Sequence, residues 1–283
     1  MRILLLTIYF LYLGNSLIPP RKAFGVVPFY YLPSNNNLKI GSLEIAKSAY
    51  QLLIYGQKEE SLRLAKLAIS LNNKDENIWA ILAEAQIANE LWEEALSSIK
   101  NGKEINPKMS EFYFAESSIY LNLNNLKEAK LTLIEGLELQ PDNYNGIFQL
   151  GNIFLMEENY KKALIQFESA IILKPKFWQA INNRGLVFFE LDKKLLAISS
   201  FEEAISIEEN AETILALGVS LRTTNRSEAI LLAKQALNLN PEYVSFDYRK
   251  EQLWGKKLQS ATEELFLFEE LKEDVLSAKE YLN

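Results

Sequence analysis

The chain contains neither cysteine nor histidine in its 283 residues. Without cysteine there are no disulfides, no thiolate nucleophile and no cysteine-ligated zinc, and the redox compartment is left open. Without histidine, the commonest general base near neutral pH and the commonest metal ligand are both missing. Ser-His-Asp and Cys-His triads are therefore excluded, and an enzyme would have to use carboxylates, Lys, Tyr or a metal held by oxygen alone. Positive charge is also short. Thirty Lys and Arg against 37 Asp and Glu leave a net charge of -7, so no basic face is expected to gather the phosphates that dominate nucleic-acid affinity. "GNIFLMEEN" and "GKKLQS" contain glycine but lack the phosphate-loop spacing and its Lys-Ser or Lys-Thr. What remains, 48% hydrophobic and 24% charged residues, is the balance of a globular protein of one large or two ordinary domains.

The opening "MRILLLTIYFLYLGNSLIPPRKAFG" has one early Arg, an apolar run from Ile3 to Leu13, and then small and turn-forming residues. That is the outline of a secretory signal, with Gly14-Asn15-Ser16 or Ala23-Phe24-Gly25 as the cleavage site. Read as an anchor, Ile3 to Ile18 supplies 16 mostly apolar residues, short of the roughly 20 that span a bilayer as a helix. A third reading is an untargeted apolar N-terminus packed on the domain. Residues 1–25 are thus expected to be a signal peptide or N-terminal membrane anchor, and the protein exported or membrane-attached. Residues 26–41, with Pro28, Pro33 and "SNNN", read as an extended lead-in.

Self-similarity organises the rest. Prolines stand at 107, 141 and 175, each 34 residues apart, in "EINPKM", "ELQPDN" and "LKPKF". Six units follow over 42–243, opening near Ser42, Glu76, Ser110, Tyr144, Trp178 and Asn210. In the clearest unit, apolar and small residues recur at Ile147, Leu150, Gly151, Phe154, Tyr160, Ala163, Phe167 and Ala170, with "MEEN" between the halves. Spacings of 3 and 4 mark one face of a helix, so each unit is a helical hairpin. Gly151 and Ala163 mark the crossing, because antiparallel helices approach closely only over short side chains. The proline at the end of a unit cannot continue the preceding helix. Residues 244–283 are helical in pattern but off-period and read as C-terminal capping helices, with Leu253, Trp254 and Leu258 on the buried side.

This pattern resembles the tetratricopeptide repeat (TPR) family over about 200 residues. It is strongest in "YNGIFQLGNIFLMEENYKKALIQFESAIILKP" and also present in the unit from Trp178, with Gly185, Phe188, Ala197, Phe201 and Ala204. Ser61 replaces the usual Ala in the first unit, and one residue is missing between Gly218 and Ala229 in the sixth. The resemblance implies an all-α, right-handed solenoid whose terminal units cap an exposed core edge. It also implies that the first helix of each unit lines a concave groove with its residues 2, 5, 6, 9, 12 and 13. These are Asn145, Phe148, Gln149, Asn152, Leu155 and Met156 in the fourth unit, and Gln179, Asn182, Asn183, Leu186, Phe189 and Glu190 in the fifth.

In that family, an Asn at position 9 and another at position 6 of the next unit hold the backbone of an extended peptide, and Asn152 and Asn183 match those positions. A carboxamide suits the task, since it offers a donor and an acceptor to a peptide group. Phe114, Phe148 and Phe189 would supply contact area for apolar side chains. Position 5 holds Phe148 and Asn182 where a clamp for an acidic C-terminus carries Lys, so that ligand is not expected. Asn182 and Asn183 have a second reading, as amides that bond a neighbouring helix or turn carbonyl.

The acidic pairs Glu59-Glu60, Glu93-Glu94, Glu202-Glu203 and Glu208-Glu209 read as solvated helix faces. The phrases "FGVVPFYYLPS", "FWQAINNRGL" and "YRKEQLWGKKLQSATEEL" further resemble TPR proteins of cyanobacteria and plastids linked to assembly of photosynthetic complexes. The expectation is a scaffold or assembly factor for a protein or peptide partner, without catalysis, cofactor or metal, acting in assembly of a thylakoid membrane complex. The alternatives are an adaptor unrelated to photosynthesis, or a small-ligand carrier or enzyme using the groove.

Overall fold

The computed structural model describes residues 34–282, which form helices and short turns with no strand among them. Six hairpins follow one another: α1 (Asn35–Ile54) with α2 (Lys58–Leu71), α3 (Glu76–Ala88) with α4 (Trp92–Ile105), and α5 (Ser110–Asn122) with α6 (Leu126–Leu139). Next come α7 (Tyr144–Met156) with α8 (Tyr160–Leu173), α9 (Trp178–Glu190) with α10 (Lys194–Ile207), and α11 (Ala211–Leu221) with α12 (Arg226–Leu239). This is the all-helical TPR solenoid. The first helices of successive hairpins neighbour each other, as α3 does α5 and α9 does both α7 and α11.

The hairpin turns repeat one backbone device. Gly56, Glu90, Asn124, Glu158 and Asp192, each 34 residues after the last, all lie in the left-handed region at φ 74°, 59°, 56°, 56° and 59°. A left-handed residue with a Cβ costs roughly 1–2 kcal/mol, so the device is held by what it permits: Asn125, Asn159 and Lys193, one residue on, each donate an N–H back to the preceding helix. The sixth hairpin has the shorter α11 and no left-handed residue in its turn.

Two glycines are set by close helix approach. A Cβ on Gly151 would stand 2.5 Å from the Phe167 ring, and one on Gly185 would stand 2.5 Å from Phe201. Ser61, at the corresponding crossing of the first hairpin, is fully buried and its Oγ has no hydrogen-bond partner.

The lead-in differs from the expected extended segment, because α1 already begins at Asn35. The Ser34 hydroxyl accepts the Asn37 N–H at 3.2 Å, so the Asn-rich run is a capped helix start rather than a loop. Residues 26–33 of the lead-in, and the expected signal or anchor at 1–25, lie outside the described residues. No helix among the described residues is long and apolar enough to cross a membrane.

After α12 the chain makes a 3₁₀ turn (Pro241–Val244), then α13 (Phe246–Glu251), α14 (Lys256–Phe266) and α15 (Lys272–Tyr281). Arg249 holds this tail together. Fully buried, it donates to the carbonyls of Tyr243 (2.7 Å) and Val244 (3.0 Å), to Gln259 Oε1 (2.8 Å) and to the Glu263 carboxylate. Burial lowers the Arg249 pKa while Glu263 opposes the change. α14 packs against the first helices α9 and α11, and α15 packs against α12. The tail therefore covers both the concave side and the end of the last two hairpins. Trp254 and Leu258 are buried as expected, whereas Leu253 is half-buried in a left-handed turn at φ 65°.

Candidate functional site

α14 is fixed on the concave face by a carboxylate from the fifth hairpin. Gly255 starts the helix without a side chain of its own, and the buried Glu190 accepts the N–H groups of Lys257 (3.2 Å) and Leu258 (2.9 Å) in its place. A Cβ on Gly255 would meet the Glu190 carboxyl carbon at 2.3 Å. Lys257 donates back to the Glu190 carbonyl at 2.7 Å, and Lys256 reaches Glu158 at 2.8 Å.

That arrangement corrects several expected groove residues. Phe189 is 5% exposed and shares one core cluster with Leu186, Trp254 and Leu258, so the tail has taken the contact area assigned to a ligand. Phe114 is half-buried over Gly136 and Gly146, each of whose Cβ positions lies under 3.0 Å from its ring. Asn182 and Asn183 are 1% and 8% exposed, enclosed rather than held open. Asn145 is exposed, Gln149 and Gln179 are half-buried, and Gln149 Oε1 is buried without a partner. The acidic pairs are exposed, as expected of solvated faces.

The enclosed amides form a relay across three helices. Trp254 Nε1 donates to Glu212 Oε1 at 3.3 Å, and the Asn182 amide adjoins the same carboxyl and favours its ionised form. Asn182 Nδ2 donates to Asn183 Oδ1 at 3.1 Å, and Asn183 Nδ2 donates to Asn152 Oδ1 at 2.8 Å. A carboxylate only accepts, so Glu212 fixes which edge of Asn182 faces it, and each later amide follows in turn. The arrangement leaves Asn182 Oδ1 buried with no partner. Asn152, half-buried at the outer end, makes no further bond among the described residues through its Nδ2.

Around this relay lies an open recess of about 350 Å³, lined by Phe148, Asn152, Trp178, Gln179, Asn182, Asn183 and Glu212 and closed by residues 251–253 of the tail. Phe148 is held from behind by Phe177 and Phe167, with ring centroids 4.9 and 5.8 Å away. Desolvation pushes the Glu212 carboxyl up to about 7, against the lowering effect of its bonds from Asn182 and Trp254. Beyond Leu253 and Trp254 a second, more apolar recess of about 460 Å³ is lined by Leu155, Met156, Tyr160 and Phe246. Further toward the N-terminus, burial and then the neighbouring Glu111 of the next first helix raise the pKa of Glu84.

Glu212 and Arg249 are absent from the residues expected from spacing, whereas Glu190 was placed on the groove and proves to hold the tail there. A signal for Glu212 exists: counted from the observed helix start at Ala211, it takes position 2, a groove position. Counted from Asn210, it does not.

A stack of helical hairpins with an amide-lined concave recess defines a helical-repeat solenoid. Residues 110–143 and 179–210 match the family model for the tetratricopeptide repeat, so two segments of the chain carry TPR units within this solenoid. No curated protein matches the sequence. Among solved structures, Pseudomonas aeruginosa pilF is similar at 16% identity with a TM-score of 0.65, covering 77% of this chain and 98% of that one. PilW, described as a widely conserved type IV pilus biogenesis factor, is similar at 16% identity and a TM-score of 0.62, covering 77% of this chain and 97% of that one. The APC/C hetero-tetramer Cut9-Hcn1 gives 16% identity and a TM-score of 0.63, covering 80% of this chain and 46% of that one. At these identities the likeness is one of fold.

Proposed function

We propose that the protein is a scaffold that holds a protein or peptide partner in its concave face, anchored at the recess beside Asn152 and Gln179. One observation carries this reading: amide groups and aromatic walls converge on an open recess where the chain's own tail stops filling the groove. Asn152 presents its unused Nδ2 there, and the adjoining apolar recess offers room for a neighbouring side chain. Amides that pair with peptide groups beside an apolar pocket suit an extended segment better than a rigid surface. Asn183 supports Asn152 from behind instead of forming the outer contact.

Export or membrane attachment, and a thylakoid complex as partner, belong to the same proposal and rest on the sequence phrases of the N-terminus and tail. The test is affinity capture from membrane and soluble fractions with the wild type, an Asn152→Ala/Gln179→Ala variant and the convex-face control Glu168→Ala. Loss of a wild-type partner in the double variant alone, with melting unchanged, is the expected result. Equal capture by all three would overturn the groove assignment, and recovery of soluble cytoplasmic proteins alone would overturn the thylakoid assignment.

A further inference from the structure

The recess contains a feature that groove packing does not use. Its charged lining residues are two carboxylates, Glu212 and Glu251, and no cation lines it. Lys256 bonds Glu158, Lys257 bonds the Glu190 carbonyl and Asp192, and Lys250 lines the neighbouring apolar recess instead. Independently, Asn182, 1% exposed, lines the same recess, and its acceptor Oδ1 is buried without a partner. A buried acceptor left unpaired costs about 1–3 kcal/mol, and the relay cannot be reversed to relieve it while Glu212 is ionised. Aromatic rings of Trp178 and Phe148 complete the walls. Two carboxylates, an orphan acceptor and two aromatic faces form an acceptor-rich box whose charged groups are all negative. The volume, about 350 Å³, falls at the low end of small-ligand sites, which run from about 300 to 1,000 Å³.

We propose that this recess binds a guanidinium or ammonium group carried by the partner, with Glu212 as its counter-charge, Asn182 Oδ1 as a hydrogen-bond acceptor and the aromatic walls as cation–π faces. The proposal rests on the groove reading above and specifies its ligand: a segment with Arg or Lys at the position that meets α9 and α11. The Glu84–Glu111 pair farther along the first helices gives the same sign of charge to that part of the concave side. Keeping a carboxylate that burial disfavours fits a group retained for binding rather than for stability.

The same cation can come from a peptide side chain or a free small molecule, and the test separates them. Side-chain amide resonances of Asn182 and Asn183 in the full-length protein are followed during titration with methylguanidinium, with neutral methylurea, and with a pool of short random peptides containing one fixed arginine or citrulline. Methylguanidinium and the arginine pool are expected to shift these resonances. Glu212→Gln is expected to weaken both by roughly tenfold or more, the worth of a hydrogen bond to a charged group. Gln179→Trp fills the recess and is expected to block both, which keeps the test decisive if Glu212→Gln misfolds. Equal responses to guanidinium and urea would overturn the cation site. Peptide binding with no arginine preference would overturn it while leaving the groove reading intact. A response to methylguanidinium with no peptide bound would overturn the peptide source and the groove reading together.

Discussion

Replacing Glu212 by Gln should make the protein more stable at alkaline pH and leave it nearly unchanged in acid. Burial raises the Glu212 carboxyl from 4.5 to about 7. Between those values the folded chain keeps a proton that the unfolded chain has lost. Stability from this group is therefore fully present below 4.5 and is lost as pH rises through about 7. At about 1.4 kcal/mol per pH unit, the gap corresponds to an upper bound of about 3 kcal/mol. Water entering the recess lowers that figure. Glutamine keeps an oxygen for Trp254 and Asn182, carries no charge, and adds a donor in the recess that contains the orphan Asn182 Oδ1. Urea unfolding of both proteins should give similar midpoints at pH 5, a gap widening to pH 7 in favour of the variant, and a constant gap to pH 8. A difference independent of pH, or a wild type more stable at pH 8, would refute the claim that this carboxyl is held in a desolvated site.

Ser61→Ala removes a buried hydroxyl without a partner and should raise stability by about 1 kcal/mol, measured as a higher urea midpoint at unchanged slope. Arg249→Met strands two carbonyls and Gln259 Oε1 in the tail. A loss of about 3 kcal/mol or more is expected, with amide exchange accelerated first in α13 and α14. Gly151→Ala and Gly185→Ala each press a methyl into a phenylalanine ring and should cost about 1–3 kcal/mol apiece, read by thermal melting. A neutral effect would mean the hairpins can separate there without loss.

The helical architecture was legible because its contacts are local and recur. The openings of α3, α5, α7 and α9 at Glu76, Ser110, Tyr144 and Trp178 follow from a period that repeats apolar positions and proline punctuation. The candidate site was only half legible. Spacing puts Asn152, Gln179, Asn182 and Asn183 on one side of the first helices, and they do converge, but spacing says nothing about what covers that side. The cover is set by non-periodic contacts across long separations, such as Leu258 N–H to Glu190, 68 residues apart, and Lys256 to Glu158, 98 apart. Phe189 was consequently misplaced. Glu212 was lost to a single residue of register at the shortened sixth unit.

The borrowed cap on α14 couples two events that a contact inventory would treat separately. Because Gly255 brings no capping side chain, the first turn of α14 is satisfied only when Glu190 already stands in a formed α9. The tail helix thus has no independent beginning. Its order reports on the fifth hairpin, and it should form after that hairpin during folding. In the native state, withdrawal of the tail would uncover Leu186 and Phe189 and unwind the start of α14 in one step. The start of α14, and with it the cover over the last third of the concave face, therefore depends on one carboxylate.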